Sequence, residues 1–524
     1  MNKPIQSILI VGGGTAGWMT ASYLTKAFQE SVKITLIESE TIKKLGVGEA
    51  TLPSLQKMFF DFLEIPEDNW MKYVNGSFKV GIKYINWHTT PEIGKKDDYF
   101  YHIFGGVPTC DGIPLQQYWL HKYLNGKTTE SMHYACYPEA NLIDKNLSPR
   151  FKDGNQSMFY AWHFDAHLVV DYLKDWSCSR GVTQIIDDVI GVSVDADGNI
   201  QSIETKKGQR LSADLYIDCS GFRSLLLKQA LNESFIDMSD QLLCDSAVAA
   251  TIPHDDKKFG VEPFTSSIAM KNGWTWKIPM RGRFGSGYVF SSKFCSRDEA
   301  TRDFQQLWKL DENHQLNQIK FDVGRTYRSW VKNCVGIGTS SCFLEPLEST
   351  GIYFIYAAIY QLVKHFPSKE FEPQLRDQFN AKIASMYDEC RDFVQMHYFT
   401  TSREDTKFWK ANRYELRIED SIKDKIELYK AGLPVGSIVS NSAEYYNLFD
   451  FELDNFWANA NYYCVLTGMG IYPNQVPHLL SVQSESINKA EVIFEEIKLK
   501  VSLLSQQLPS TYQTLNILHG LTCN

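Results

Sequence analysis

The chain has 524 residues, of which 44% are hydrophobic and 22% are charged, and its formal net charge is −9 at pH 7. A chain of this length and composition can bury a large core, which excludes a disordered or low-complexity protein. The acidic balance, without a basic stripe in the sequence, argues against a nucleic-acid partner. Aromatic residues reach 13% of the chain, which suits either ordinary core packing or a site that holds a ring with rings.

The cysteines and the N-terminus bear on the compartment. Eleven cysteines are scattered without CxxC spacing, a pattern typical of reduced thiols rather than of disulfides or a metal site. Residues 1–4 lead directly into a predicted strand and leave no room for a secretion signal. The most apolar predicted helix, over 352–363, has about 12 residues and is too short to cross a bilayer. We therefore expect a cytoplasmic protein with no membrane partner.

The first 38 residues predict one βαβ unit. Ser7–Val11 is a short apolar run, residues 15–29 have helical periodicity, and residues 32–37 form a second strand that ends at Glu38. The intervening glycines fit G-x-G-x-x-G, in which a tight turn and a helix N-terminus approach a pyrophosphate. Glu38 lies where a carboxylate accepts hydrogen bonds from ribose hydroxyls. The predicted dinucleotide-binding residues are Gly12, Gly14, Thr15, Ala16, Gly17 and Glu38.

The following segments favour FAD over NAD as the dinucleotide. In order, the predicted elements are a helix (167–178), a hairpin (185–194 and 200–205, around an Asp-Gly turn) and a buried strand (215–219). The segment 213–221 resembles the ribityl-contacting turn of aromatic hydroxylases. Since the sequence has no second G-x-G-x-x-G for a nicotinamide, we expect a separate NAD(P)H-dependent reductase to supply reduced flavin.

The rest of the chain predicts strands and then helices. Antiparallel strands over 266–292 carry two tryptophans, and 334–338 is a further buried strand. Helical periodicity then covers 352–366, 374–398, 420–431, 449–466 and 485–504. The predicted fold class is α/β, an FAD-binding Rossmann-like module of the aromatic-hydroxylase type packed against a mostly helical substrate module. We place the flavin module at 1–350, with an insertion at about 85–160 that contributes to the substrate pocket, and the helical module at 351–524.

Two ionisable residues are candidates for chemistry. Lys79 lies in the strand-like stretch 76–84; such a lysine is usually solvated at a strand edge, but among apolar and aromatic residues it is a poised cation or a nucleophilic amine. Glu348 precedes a helix that begins near Thr350, so it can be a helix cap, a base and charge partner for a substrate ring, or both at once. The amides at Thr350 and Gly351 suit a small anion such as chloride.

Trp274 and Trp276 share one face of a predicted strand. Core packing explains them without any function. Two indoles beside a flavin would also shield it from direct approach by a substrate, and would so separate flavin chemistry from substrate chemistry.

Together these segments resemble the flavin-dependent tryptophan halogenases, especially those that act at C7, and the resemblance covers essentially the whole chain. Residues 12–18 match that family's flavin loop and residues 274–279 match its W-x-W-x-I-P signature. Lys79 and Glu348 match its catalytic lysine and glutamate, and Thr350 and Gly351 fall where the family binds chloride. The resemblance also implies flavin contacts from Glu49, Val189, Thr339 and Ile352.

The same resemblance implies a pocket for free L-tryptophan. His102 and Phe104 match positions that sandwich the indole, and Trp457 matches the ring on its other face. Glu452 lies where the family anchors the substrate ammonium. The amino-acid end and the wall are completed by Tyr445, Tyr446 and Phe456. Without the resemblance, this last stretch would be interpreted as an acidic, aromatic helix face in the core.

The implied reaction uses reduced FAD, O2 and chloride or bromide. A flavin hydroperoxide converts the halide to hypohalous acid, which crosses a tunnel to Lys79. Lys79 either hydrogen-bonds the acid or forms a chloramine, and Glu348 stabilises the cationic indole and assists loss of its proton. Halogenation is expected at C7, with C6 or C5 as alternatives, by an enzyme whose relatives are often homodimers.

Other functions stay open on the residues alone. The glycine loop and second flavin segment also suit a monooxygenase that hydroxylates an aromatic ring, or a flavoprotein that only holds FAD. A third alternative keeps the halogenase chemistry and changes the substrate to another indole.

Overall fold

The computed structural model describes residues 3–41 and 48–521. The strands are β1 (Ser7–Val11), β2 (Lys33–Glu38), β3 (Glu49–Ala50), β4 (Ser77–Lys79), β5 (Gly81–Ile85), β6 (Tyr99–Ile103), β7 (Thr109–Cys110), β8 (Ile113–Pro114), β9 (Ala161–Phe164), β10 (Thr183–Ile186), β11 (Val189–Val194), β12 (Ile200–Thr205), β13 (Arg210–Leu211), β14 (Leu215–Asp218), β15 (Phe235–Asp237), β16 (Ser246–Pro253), β17 (Thr265–Ala269), β18 (Gly273–Met280), β19 (Arg283–Phe290), β20 (Asn317–Lys320), β21 (Gly324–Thr326), β22 (Trp330–Val331), β23 (Cys334–Gly336) and β24 (Cys342–Phe343).

The α-helices are α1 (Thr15–Phe28), α2 (Glu67–Tyr73), α3 (Leu115–Leu124), α4 (Met132–Cys136), α5 (Pro138–Ile143), α6 (Ala166–Cys178), α7 (Asp256–Phe259), α8 (Arg297–Trp308), α9 (Gly351–Lys364), α10 (Pro373–Phe399), α11 (Lys407–Tyr414), α12 (Asp420–Lys430), α13 (Ser442–Asn447), α14 (Phe449–Asp454), α15 (Asn459–Gly468), α16 (His478–Val482), α17 (Ser484–Gln507) and α18 (Thr511–Leu518). Strands and helices are mixed along the chain, which confirms the predicted α/β class.

The chain forms two compact units, each assembled from three segments. The first unit contains Met1–Gly76, Phe164–Asp240 and Lys320–Arg391, and the second contains Ser77–His163, Gln241–Ile319 and Asp392–Asn524. The proposed division at residue 350 concerns flavin and tryptophan binding rather than chain packing, so it stays a prediction.

The first unit is built on a six-stranded sheet with the order β10-β2-β1-β14-β23-β22. Its strands pair in parallel except for β22, which is antiparallel to β23. Residues 8–11 of β1 are apolar and almost fully buried, as is usual for the central strands of a parallel sheet. Helix α1 packs against α6 and α9. The predicted βαβ unit is therefore confirmed.

One predicted hairpin strand, residues 185–194, is in fact two strands in two sheets. β10 pairs with β2 in the parallel sheet, whereas β11 pairs with β12 in an antiparallel one. The chain breaks at Asp187, whose carboxylate accepts hydrogen bonds from the backbone amides of Asp188 and Lys207. The hairpin prediction is correct only from β11 onward.

The second unit contains a seven-stranded sheet with the order β20-β16-β19-β18-β17-β5-β6. The pair β17–β5 is parallel. The pairs β16–β19, β19–β18, β18–β17 and β5–β6 are antiparallel. Helix α15 packs on β6 so closely that a Cβ on Gly468 would lie 2.2 Å from the Phe100 ring. This contact places one face of α15 beside the edge strand that carries His102.

Two predicted elements of the second unit are interrupted. The stretch around Lys79 divides at Val80, whose amide donates to the carbonyl of Pro263, so β4 pairs with β9 while β5 joins the large sheet. The helix predicted over 449–466 is two helices, α14 and α15. Between them the Tyr445 hydroxyl donates to the carbonyls of Asn455 and Phe456 at 3.0 and 2.9 Å. These two carbonyls therefore accept from a side chain instead of from the backbone amides of a continuous helix.

The remaining late helices agree with the sequence. Those predicted over 352–366, 374–398, 420–431 and 485–504 correspond to α9, α10, α12 and α17. Within the described residues, no helix is both long enough and apolar enough to cross a membrane. Ten cysteines are free thiols; the eleventh, Cys523, lies outside the described residues.

Candidate functional site

The glycine loop between β1 and α1 has the geometry of a phosphate-binding turn. Gly12 has φ +116°, and a Cβ there would meet the carbonyl oxygen of Cys219 at 2.1 Å. A Cβ on Gly17 would lie 1.9 Å from the carbonyl oxygen of Gly12, so glycine lets α1 start against the turn. A Cβ on Gly14 would meet no described atom within 4 Å. The space in front of this turn is therefore open.

Helix α1 presents its N-terminus to that open space. Its N-cap residue is Gly14, which has no side chain to cap the first amides. Those amides, beginning with Thr15 and Ala16, carry the positive end of the helix dipole and attract an anion. The residues present therefore fit the pyrophosphate of a dinucleotide.

Glu38 ends β2 beside the loop. A Cβ on Gly13 would lie 2.0 Å from Oε2 of Glu38, and Gln184 donates a 2.7 Å hydrogen bond to Oε1. The carboxylate is held in position next to the predicted phosphate turn. Its contact with ribose hydroxyls stays a prediction.

The second flavin segment ends in a turn that uses its own carboxylate. Oδ1 of Asp218 accepts from the amide and hydroxyl of Ser220 at 3.0 and 2.6 Å. Oδ2 accepts from the amides of Leu226 and Leu227 at 2.7 and 3.0 Å. Burial raises the pKa of Asp218, and these hydrogen bonds oppose the rise. Asp218 therefore holds the turn together.

The other four predicted flavin residues also belong to the first unit. Glu49 lies in β3, Val189 begins β11, Thr339 lies in a short 3₁₀ turn, and Ile352 lies in the first turn of α9. Burial, and then the negative charge of Asp165, raise the pKa of Glu49 to about 7. Flavin contact by these residues stays a prediction.

Glu348 lies in a strained turn before α9. Glu348 and Ser349 have φ +69° and +62°, a left-handed conformation that costs non-glycine residues about 1–3 kcal/mol each. The N-cap residue of α9 is Thr350, whose side chain makes no capping hydrogen bond within the described chain. Glu348 is therefore not the N-cap residue of α9, and it is 3% exposed.

Thr350 and Gly351 form the start of α9. Thr350 is buried, whereas a Cβ on Gly351 would meet no described atom within 4 Å. The N-terminus of this 14-residue helix thus faces open space and suits a small anion. Chloride at this position stays a prediction.

Lys79 ends β4 and is 0% exposed. Its Nζ lies 4.9 Å from the centroid of the Phe104 ring, within the range of a cation–π contact. The interpretation as a solvated lysine at a strand edge is therefore wrong. His163 lies on β9, the strand that pairs with β4. Burial, and then the charge of Lys79, hold the pKa of His163 well below its usual value.

His102 and Phe104 are brought together by β6 and the turn that follows. His102 is 3% exposed, and its Nε2 lies 2.8 Å from the side-chain amide nitrogen of Asn461 on α15. Phe104 is tied to Val80 by a 3.1 Å backbone hydrogen bond. These two predicted substrate residues are therefore held on one edge, next to Lys79.

Helices α13 and α14 carry the residues predicted for the amino-acid end. The rings of Tyr445 and Tyr446 lie 5.0 Å apart, and the Tyr446 hydroxyl accepts a 3.2 Å hydrogen bond from the amide of Gly105. Burial, and then the charge of Glu452, raise the pKa of Tyr446. Glu452 is only 2% exposed, so its carboxylate lies beside Tyr446 in the interior of the unit.

Trp457 lies between ring neighbours. Its ring stacks on Phe393 with centroids 3.8 Å apart and planes inclined by 10°, and the Phe456 ring lies at 4.6 Å. His102 lies 6.1 Å away, whereas an indole between two rings needs about 7 Å. The sandwich therefore stays a prediction and requires a small separation of these rings. The Trp457 Nε1 is buried and has no hydrogen-bond partner among the described residues, which leaves a donor for a ligand.

Trp274 and Trp276 lie on one face of β18, as predicted, with ring centroids 6.2 Å apart. A Cβ on Gly287 would lie 2.2 Å from the Trp276 ring, so glycine makes room for that indole. The Trp276 Nε1 is buried and lacks a hydrogen-bond partner in the described part of the chain. A role as a flavin shield stays a prediction.

Three residues of this site were missed by sequence reasoning. They are Phe393, which stacks on Trp457; Asn461, which binds His102; and His163, which lies beside the strand of Lys79. Each is an ordinary residue of a helix or strand in the sequence, and each meets its partner only through the fold.

Known proteins match this chain over nearly its whole length. The family described as "Tryptophan halogenase" matches residues 7–485. The chain is 52% identical over 530 residues to tryptophan 7-halogenase RebH of Lentzea aerocolonigenes, covering 99% of this chain and 100% of the relative. It is 50% identical over 531 residues to tryptophan 6-halogenase ThaL of Streptomyces albogriseolus, with the same coverage. The crystal structure of tryptophan 6-halogenase SttH of Streptomyces toxytricini superposes with a TM-score of 0.89 at 36% identity, covering 99% of this chain and 100% of that one.

Proposed function

Because the chain belongs to the tryptophan halogenase family and is a flavin-dependent halogenase, we propose that it chlorinates or brominates free L-tryptophan at C7 of the indole. The observation that carries this proposal is the fully buried Lys79 ammonium, 4.9 Å from the Phe104 ring. A desolvated amine beside aromatic rings can hold an electrophilic halogen next to an aromatic substrate.

FAD is the proposed cofactor, and a separate NAD(P)H-dependent reductase is proposed to reduce it. Bound FAD in its reduced form would supply the electrons that activate O2 for oxidation of the halide to hypohalous acid. Gly12, Gly14 and Gly17 would admit the pyrophosphate at the N-terminus of α1, and Glu38 would bind the ribose. The remaining proposed contacts come from Thr15, Ala16, Glu49, Val189, Thr339 and Ile352.

The halide is proposed to bind at Thr350 and Gly351, where the first amides of α9 face open space. Trp274 and Trp276 are proposed to keep tryptophan away from the flavin. Under this arrangement the oxidant is made and used at separate places.

Lys79 is proposed to present the oxidant to the substrate. Its ammonium either donates a hydrogen bond to hypohalous acid or, as the neutral amine, forms a nitrogen–halogen bond. In the second case the oxygen–halogen bond breaks, and the displaced hydroxide leaves with an amine proton as water. The halogen then passes to the indole carbon as the oxygen–halogen or nitrogen–halogen bond breaks, and the electron pair of that bond stays on oxygen or nitrogen, which takes up a proton. Glu348 stabilises the cationic ring and accepts its proton.

The pocket proposed for tryptophan combines rings with one carboxylate. His102, Phe104 and Trp457 would contact the indole, and Glu452 would bind the substrate ammonium. Tyr445, Tyr446 and Phe456 would complete the amino-acid end. The Trp457 Nε1 supports this assignment, because it is buried without a hydrogen-bond partner among the described residues and a bound amino acid can satisfy it. Glu452 is buried in the same unit and supplies a carboxylate that can bind an ammonium.

The position of halogenation depends on which ring carbon the pocket presents to Lys79, a matter of about 1 Å. We favour C7 because RebH, named a tryptophan 7-halogenase, is 52% identical to this chain. ThaL, named a tryptophan 6-halogenase, is 50% identical, so C6 is the second candidate.

One incubation tests the function. The protein with tryptophan, FAD, NADH, a flavin reductase and NaCl should give a product with the chlorine isotope pattern, and NMR should locate the chlorine at C7. Chlorine at C6 or C5 would overturn the position, a gain of oxygen alone would overturn halogenation, and reaction only with larger indoles would overturn the substrate. Without the reductase, NADH oxidation and product should both be absent.

We also infer that the protein is a homodimer located in the cytoplasm. The ten free cysteines in the described residues are compatible with a reducing compartment. Light scattering should give twice the mass of the chain, and a monomer mass would refute the dimer.

A further inference from the structure

A chain of hydrogen bonds lies behind Lys79 and centres on His163. This histidine is 0% exposed. Its Nε2 lies 2.8 Å from the Thr265 hydroxyl, and its Nδ1 lies 3.3 Å from the Ser77 hydroxyl. The Ser77 hydroxyl lies 2.5 Å from the carbonyl oxygen of Pro279. Three strands, β4, β9 and β17, and the end of the W-x-W-x-I-P segment are thereby connected.

Each hydrogen bond in this chain of hydrogen bonds has one donor and one acceptor that can be assigned. A carbonyl oxygen only accepts, so the single hydroxyl proton of Ser77 is donated to Pro279. The Ser77 oxygen then accepts from His163, which places a proton on Nδ1. Burial, and then the charge of Lys79, hold the pKa of His163 well below its usual value, so the ring is neutral. Nε2 therefore keeps its lone pair and accepts the hydroxyl proton of Thr265, which fixes one tautomer.

The chain of hydrogen bonds is close to Lys79 because of strand register. β4 and β9 are antiparallel, with Ser77 opposite His163 and Lys79 opposite Ala161. Side chains two residues apart on a strand share a face, so Ser77 and Lys79 point to the same side. The Lys79 charge is also felt by the imidazole, since it lowers the pKa of His163 in addition to the effect of burial.

Thr265 links the same chain to the substrate face of the large sheet. Thr265 lies opposite Ile82 on β5, and Ile82 lies opposite His102 on β6. Residues opposite one another on neighbouring strands share a face, so Thr265 and His102 project from the same side. The imidazole of His163 is thus braced against the face that bears the proposed indole-binding residues.

We propose that His163 is a positioning residue for halogenation, which holds β4, and with it the Lys79 amine, at a set distance from the substrate face. The proposal rests on the proposed function of Lys79. It assigns Pro279, the last residue of the W-x-W-x-I-P segment, an anchoring role through its carbonyl. It also explains why a neutral ring lies here, because a second cation beside Lys79 would repel it.

Thr265 offers a matched pair of substitutions. Thr265→Val has nearly the same shape but lacks the hydroxyl, so Nε2 loses its hydrogen-bond donor and the ring loses its link to β17. Thr265→Ser keeps the hydroxyl. We expect Thr265→Val to lower kcat for tryptophan chlorination about 10-fold with KM within about twofold, and Thr265→Ser to stay within about twofold of wild type in both.

A second measurement does not depend on turnover. Long-range ¹H–¹⁵N correlation on protein labelled at histidine, without flavin, should show His163 as the neutral Nδ1–H tautomer from about pH 5 to pH 9. The signal is identified by its loss in His163→Asn. Thr265→Val should keep the Nδ1–H tautomer but move the Nε2 resonance, because Nε2 loses its hydrogen bond, and Thr265→Ser should leave that resonance in place.

The outcomes separate the two proposals. An Nε2–H tautomer in wild type, or titration of His163 within that range, would overturn the hydrogen-bond chain. Equal kcat in the Val and Ser variants of an active enzyme would overturn the positioning role alone. A wild type that does not halogenate tryptophan would overturn the proposed function, and with it the positioning role, while the tautomer result still decides the hydrogen-bond chain. If Thr265→Val does not fold, Ser77→Ala, which frees the Pro279 carbonyl, should show the same loss of kcat.

Discussion

At the scale of single residues, the two side chains proposed for chemistry occupy positions that lower the stability of the fold. Lys79 and Glu348 are 0% and 3% exposed, and burial removes water from a charged side chain at a cost in free energy. Glu348 also has a left-handed backbone, a strain that persists where the surrounding structure imposes it. Costs of this kind are common at functional sites.

Glu348→Gln keeps the shape of the side chain and removes its charge. If the carboxylate stabilises the cationic ring and accepts its proton, tryptophan chlorination should fall about 100-fold. FAD affinity should stay within about twofold of wild type, since the substitution adds no bulk. The measurement is the rate of chlorotryptophan formation under excess reduced flavin. Wild-type turnover in this variant would remove the assigned role.

Glu49 should make the flavin-free protein less stable as the pH rises. Burial, and then the Asp165 charge, raise the pKa of Glu49 from 4.5 to about 7. The folded chain thus keeps a proton that the unfolded chain releases, so this group lowers the unfolding free energy between about pH 4.5 and pH 7 and leaves it lower above that window. Glu49→Gln should therefore become more stable than wild type with rising pH, by about 3 kcal/mol at about pH 8.

Urea unfolding of wild type and Glu49→Gln without flavin checks this, at about pH 4.5, 6 and 8. The two proteins should differ least at the lowest pH. A stability difference that is the same at all three values would contradict the raised pKa of Glu49.

For single residues, the sequence indicates which ones are candidates for chemistry better than it indicates how buried or strained they are. Lys79 and Glu348 stand out by their motifs, but neither the burial of Lys79 nor the left-handed turn at Glu348 follows from local pattern. Phe393 and Asn461 meet Trp457 and His102 only in three dimensions. Contacts between residues far apart in the chain leave no mark in a single sequence.

At the scale of elements, the glycine turn between β1 and α1 has two kinds of glycine. A Cβ on Gly17 would lie 1.9 Å from the carbonyl oxygen of Gly12, whereas a Cβ on Gly14 would face open space. The first glycine is needed for the fold of the turn, and the second is needed only where a ligand approaches.

Gly17→Ala and Gly14→Ala form a matched pair. Gly17→Ala should destabilise the protein by about 2 kcal/mol or more, because backbone must move, and should lose FAD. Gly14→Ala should unfold within about 2 °C of wild type yet bind FAD about 10-fold more weakly. Thermal unfolding and flavin titration measure both. Equal FAD affinities for Gly14→Ala and wild type would argue against the phosphate site.

The sequence predicts strands and helices well where a strand or helix periodicity continues without a break. It predicts them poorly where the backbone changes direction at a single residue. β1, α1 and β2 follow from short-range pattern. The breaks at Val80, Asp187 and Asn455 do not, because the hydrogen bonds that redirect the backbone there come from or reach residues elsewhere in the chain, such as Pro263, Lys207 and Tyr445.

At the scale of the whole molecule, the chain crosses between its two units several times. The glycine loop, Glu348 and the start of α9 belong to the first unit, and Lys79 with the aromatic residues belongs to the second. The predicted boundary at residue 350 separates flavin binding from tryptophan binding and stays a prediction. Each of the two compact units is assembled from three separate segments, and such interleaving is not visible in composition.

The central claim is that the Lys79 amine passes the halogen to tryptophan. Lys79→Met keeps much of the apolar stem and removes the amine, and Lys83→Met is the matched control, because the Lys83 ammonium instead lies 3.2 Å from Asp144. With tryptophan, FAD, reductase and chloride, Lys79→Met should give less than about 1% of wild-type chlorotryptophan while its FAD affinity stays within about twofold. Lys83→Met should retain most of the activity. Chlorotryptophan formed by Lys79→Met at the wild-type rate would contradict the account.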